Sequence, residues 1–183
     1  MDKAYRGQVL EYNQKKKEIY RLQGNKSAYI EQLWKLVLEQ SAGDLDIYKE
    51  LKAQYSEKEW LIKREELFKK LPANAHIDRL YKEEKLYDRL LAYVLKSSGL
   101  YAVQSYENVL KKEYPKQILS KYQDEVNKMA SCTGNRKHYA DLVALLRRMK
   151  QIKGGSEIVE TIVEEWKIKY RNRPAMMDEL SKL

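Results

Sequence analysis

A phrase that occurs twice constrains this chain more than any other feature. Gly24-Asn25-Lys26-Ser27-Ala28-Tyr29 and Gly134-Asn135-Arg136-Lys137-His138-Tyr139 share a Gly-Asn turn, a basic residue, two variable positions and a Tyr. Each Tyr opens an apolar helical face: Leu33, Leu36 and Val37 follow Tyr29, and Val143 and Leu146 follow Tyr139. A third copy lacks the Gly, with Glu84-Lys85-Leu86-Tyr87 leading into Leu90, Leu91, Val94 and Leu95. The three tyrosines stand 58 and 52 residues apart. Helical units of this length cannot bury an apolar face alone, so they are expected to stack on one another.

The residue types agree with helix throughout. Lys, Glu and Leu abound, while 7 Gly and 3 Pro are few breakers for 183 residues. From Asp2 to Leu22, the residues Tyr5, Val9, Tyr12, Ile19 and Leu22 recur at steps of three, four and seven and predict one apolar stripe of an α-helix, with Lys15 to Lys17 exposed. Gly24 ends that helix and Ser27 is placed to cap the next, Ala28 to Gln40. After Gly43, Asp44 caps a helix through Tyr55. Ser56-Glu57-Lys58-Glu59 reads as a capping box that starts a helix running to Pro72.

A short helix at Ile77, Leu80 and Tyr81 and a break near Lys85 precede the second repeated face, Leu86 to Lys96. The turn Ser97-Ser98-Gly99 leads to a helix from Leu100 to Glu113, and Pro115 opens another as a first-turn proline, whose missing donor costs nothing there. Arg136 to Gln151 forms the last copy of the face. Gly154-Gly155 interrupts it, Ser156 is the expected cap for Ile158 to Tyr170, and Pro174 starts a short closing helix. Tyr55, Tyr114 and Tyr170 each close the second helix of a copy. The reading is an all-α chain of about ten helices, a right-handed helical-repeat α-solenoid of tetratricopeptide or HEAT type, with a globular helical bundle as the alternative. One domain spans 1–183, with an N-terminal helix at 1–26 and repeats at about 27–85, 86–135 and 136–183.

Arg136-Lys137-His138-Tyr139-Ala140, Leu145-Leu146-Arg147-Arg148-Met149, Lys169-Tyr170 and Arg173-Pro174-Ala175-Met176-Met177-Asp178-Glu179-Leu180 together resemble the helical C-terminal region of bacterial SWIM zinc-finger proteins. The resemblance is clearest after Tyr81. It implies a tetratricopeptide-like array downstream of a zinc module in a longer protein, of which this chain would be the C-terminal part or a stand-alone relative. The zinc module's Cys-x-Cys and Cys-x-His pairs do not occur in this sequence, so no ligand role carries over.

The chemistry of an enzyme has no motif here. Phosphate-cradling Gly-rich loops, His-Glu-x-x-His and Gly-x-Ser-x-Gly do not occur. Cys132 and His138 read as a cysteine tucked at a helix end and a histidine at a helix start, and Glu83-Glu84 and Glu164-Glu165 read as solvent-facing pairs. One Cys and two His supply no four-ligand zinc site, so no cofactor or metal is expected. Neither a signal segment nor a run of about 18 apolar residues is present, which predicts a cytoplasmic protein with no membrane partner.

The net charge of +9 leaves two partner classes open. A groove lined by Tyr5, Tyr12, Tyr20, Tyr101 and Tyr106 would suit a protein or peptide, since rigid amphipathic rings make good anchors. The basic run of the last repeat, Arg147, Arg148, Lys150, Lys153, Lys167, Lys169, Arg171 and Arg173, would suit phosphates. The expectation is therefore a non-catalytic interaction module for a protein or peptide, with a nucleic-acid accessory role as the alternative.

Overall fold

The structure, a computed structural model, describes residues 3–183. Asp2, the expected start of the first helix, lies outside the described residues. The described chain is all helical, with eleven α-helices and one π-helical turn: α1 Lys3–Leu22, α2 Lys26–Lys35, the π-turn Leu36–Gln40, α3 Leu45–Lys52, α4 Glu57–Lys70, α5 Ile77–Glu83, α6 Tyr87–Lys96, α7 Tyr101–Leu110, α8 Pro115–Ser131, α9 Arg136–Lys150, α10 Gly155–Lys169 and α11 Pro174–Leu180. It divides into two compact units, Met1–Leu86 and Tyr87–Leu183. Among the described residues, no helix is long and apolar enough to cross a membrane.

The first unit is built around the apolar face that runs from α2 into the π-turn. Leu33, Leu36 and Val37 are fully buried and meet Tyr48 and Leu51 of α3, Trp60 and Leu67 of α4 and Leu80 of α5. Tyr48 lies edge-on to Trp60, with ring centres 5.1 Å apart, a favoured aromatic geometry. Local signals place the helix starts. Asp44 accepts from the amides of Asp46 and Ile47 at 3.0 Å, and the Ser56 to Glu59 capping box closes in both directions.

The α2 start and the face of α1 depart from expectation. Asn25, not Ser27, caps α2 by accepting from the Ala28 amide at 3.2 Å, so the helix starts two residues earlier than expected, directly after the left-handed turn at Gly24, φ 68. The stripe Tyr5, Tyr12, Ile19 and Leu22 is 51 to 78% exposed. What α1 buries is Asn13, with Leu10 and Tyr20 packed at the edge of the core. Asn13 accepts from the Gln32 side chain at 2.8 Å, and Lys17 donates to Glu50 of α3 at 2.6 Å. The expected exposure of Lys17 is thus corrected: its side chain is only 12% exposed, because Glu50 supplies the counter-charge.

The helix expected to reach Gln40 widens at Leu36, where the Ser41 amide reaches back five residues to the Leu36 carbonyl at 2.8 Å. Gly43 then turns left-handed, at φ 76, with its Cα so close to the backbone of His76 that a Cβ would lie 2.9 Å from that amide nitrogen. α3 ends at Lys52 rather than Tyr55, which sits in the next turn and accepts from the Trp34 indole at 2.9 Å.

In the second unit, Leu90 and Val94 of α6, Val103 and Leu110 of α7, Ile118, Tyr122 and Val126 of α8, Leu146 and Met149 of α9 and Val159, Ile162 and Trp166 of α10 form the buried set. Leu95, expected on this face, is 40% exposed. Pro115 opens α8 as its sequence position predicts. Ser156 does not cap α10: the helix begins at Gly155, with Gly154 in the cap position at φ 81. A Cβ on Gly155 would fall 1.9 Å from the Met149 carbonyl oxygen, so this approach of α9 and α10 requires glycine.

Candidate interaction surfaces

Most of the ionisable groups that lie inside the protein hold helices together. Glu84 is the clearest case and corrects the solvent-facing reading of Glu83-Glu84, because its side chain is only 5% exposed. It accepts from Lys52 of α3 at 2.7 Å, from the Trp60 indole at 3.2 Å and from Arg64 of α4 at 3.1 Å. Burial pushes its carboxyl up, yet the bonds from Lys52, Trp60 and Arg64 together hold it below the usual range. The counterpart in the second unit is Glu107, buried on α7, which accepts from the Tyr122 hydroxyl at 2.6 Å and the Arg148 guanidinium at 2.8 Å. Burial, then the bond to Glu107, drives the Tyr122 phenol well above its ordinary value.

These contacts sort the residues nominated from the sequence. Tyr106 is buried at 8% and belongs to the core, not to a groove. Arg148 is held by Glu107 and by the Gln104 carbonyl, 3.2 Å away. Arg173 caps the end of α8, donating to the carbonyls of Ala130, Ser131 and Cys132 at 2.7 to 3.3 Å while lying over the Tyr170 ring. Cys132 itself is exposed rather than tucked away, and the His138 ring lies 3.1 Å from the Met129 carbonyl.

Others remain available to a partner. Tyr101, at the start of α7, is 84% exposed, and Lys169 and Arg171 are exposed beside Tyr170. Tyr20, by contrast, packs against the first unit's core, leaving Tyr5 and Tyr12 outward on α1.

Three of the nominated cations come together at one end of the second unit. Lys150 and Lys167 line a cleft of about 240 Å³ with Val159, Val163, Leu180 and Leu183, and with Glu160 and Glu164. Arg147 secures the same end by donating to the Lys182 carbonyl at 2.6 Å. Arg136, at the other end of α9, binds Asp178 and Glu179 and so pins α11 in place. The result is an apolar floor with a rim of both signs. Sequence reasoning found the lysines of this cleft and read Glu164 as solvent-facing, but missed Glu160, which was legible as its i−4 neighbour on the α10 face that ends in Lys167.

A larger cleft, about 660 Å³, lies in the first unit beside the π-turn. Glu39, Ser41, Asp44, Asn74, His76 and Arg79 line it with Leu10 and Gly7. The widened turn and the tight Gly43 approach to His76 set its wall, and neither has a sequence signature. Its mixed donors and acceptors suit a polar group. Among the described residues, no group of three or more His, Cys, Asp or Glu is arranged to hold a metal ion. No protein-family model, no curated protein and no solved structure matches this chain.

Proposed function

We propose that this chain is a non-catalytic helical-repeat interaction module, a right-handed α-solenoid whose last repeat receives a protein or peptide segment. The cleft between α9, α10 and α11 carries this reading. Val163 and Leu183, both partly exposed, offer apolar area over the buried Val159 and Leu180, while Lys150 and Lys167 line the cleft together with Glu160 and Glu164. An amphipathic peptide with charges of both signs fits such a rim; a phosphate backbone gains no net attraction from it, because the two carboxylates balance the two lysines. The nucleic-acid alternative is weakened further because Arg148 and Arg173 already donate to a carboxylate and to helix-end carbonyls of the fold. By resemblance to the SWIM zinc-finger proteins, the module would follow a zinc-binding region in a longer cytoplasmic protein.

Selection of displayed random peptides on the immobilised chain tests the reading. Enrichment of amphipathic sequences that Val163→Asp no longer binds, with helix content unchanged, supports it. If no peptide is enriched, and labelled oligonucleotides instead bind with an affinity that collapses between about 50 and 200 mM salt, the nucleic-acid role takes its place.

A further inference from the structure

We propose that α1 pairs in parallel with α1 of a second copy of this chain. The inference stands on the first unit alone and is independent of the peptide cleft. One face of α1 is committed to its own fold: Asn13 is buried against Gln32, and Lys17 reaches Glu50. The opposite face runs Tyr5, Gln8, Tyr12, Lys15, Ile19 and Leu22, at steps of three, four, three, four and three. That spacing is the a and d seam of a coiled coil, over a helix about 30 Å long. Its large apolar members are strongly exposed: Tyr5 54%, Tyr12 64%, Ile19 51% and Leu22 78%.

Charge selects the occupant and its direction. Glu11 and Glu18 flank the seam on one side, in the g positions, and Lys16 flanks it on the other, in an e position. In a parallel pair, Glu11 of each helix faces Lys16 of the other, giving two attractive contacts. In an antiparallel pair, the glutamates face one another and repel. Lys15 falls on the seam, where its ammonium is drawn aside to Glu11 of its own helix at 2.7 Å. A polar residue at such a position lowers affinity and fixes register, so the pair is a reversible one.

Sedimentation of the full chain over a concentration series tests the proposal. The expected result is a shift toward twice the monomer mass, abolished by Ile19→Asp, with helical circular dichroism unchanged, and retained by Leu61→Asp on the equally exposed face of α4. Glu11→Lys weakens the pair, and adding Lys16→Glu restores it. Direction is read separately. With Cys132→Ser as background, Tyr5→Cys forms a disulfide-linked dimer on oxidation only if the helices run parallel. A monomer at every concentration, or a dimer indifferent to Ile19→Asp, overturns the pairing, and failure of the Tyr5→Cys crosslink overturns its direction.

Discussion

The Tyr122 hydroxyl donates to the Glu107 carboxylate across 2.6 Å, joining α8 to α7 inside the second unit. Because Arg148 binds the same carboxylate from α9, three helices meet on one buried charge. Tyr122→Phe keeps the ring and removes only the donor, so the expected loss is about 2 kcal/mol, the range for a hydrogen bond to a charged group. Arg148 is more than a third exposed, and Arg148→Ala should cost less, about 1 kcal/mol. Urea unfolding of both variants checks the order.

Glu84 plays the same part in the first unit with more partners and less solvent. Glu84→Gln takes away the charge that Lys52 and Arg64 share, and Arg64 is itself only 13% exposed. Breaking a buried pair from one side costs about 3 kcal/mol. Chemical denaturation should therefore show Glu84→Gln to be more damaging than Tyr122→Phe.

The chain's helices were largely legible, and the reason is locality. Asp44, the Ser56 to Glu59 box and Pro115 act within one turn of their own positions, so spacing alone finds them. The face that α1 buries was not legible. Asn13 and Lys17 look solvent-facing by residue type and go inward only because Gln32 and Glu50 wait on other helices. Glu84 was misread for the same reason. Of the interaction cleft, Lys150 and Lys167 were found as charges, while the apolar floor that gives them meaning arises only when α9, α10 and α11 come together.

Stability should fall at both ends of the pH scale. Glu84 and Glu125 are held below the ordinary carboxylate value, Glu125 chiefly by Lys121. Their contribution is present above about pH 4.5 and fades as acid carries the folded protein through its lowered values. Tyr29 is raised by burial and then by its bond to Glu50, and Tyr122 by burial and Glu107. Folding holds those phenol protons, so the contribution is intact below about pH 10 and fades as pH rises further. Thermal melts should show a plateau between these limits. A midpoint that stays level from pH 9 to 11 would contradict the assignment.

Two glycines give opposite predictions for the same substitution. Gly155→Ala forces a methyl group against the Met149 carbonyl and should destabilise by about 3 kcal/mol, as overpacking at a rigid contact does. Gly7→Ala on α1 meets nothing within 4 Å and should stabilise by about 0.5 to 1 kcal/mol through helix propensity. Melting temperatures of the two variants read the sign directly.

The most direct measurement of the central claim is photo-crosslinking from the α10 rim. A light-activated aromatic residue replaces Lys167 in the chain expressed in its host cell, with replacement at exposed Lys58 on α4 as the control. The account predicts a discrete protein adduct from position 167 that position 58 does not give. Adducts to nucleic acid at 167, or the same products from both positions, would contradict it.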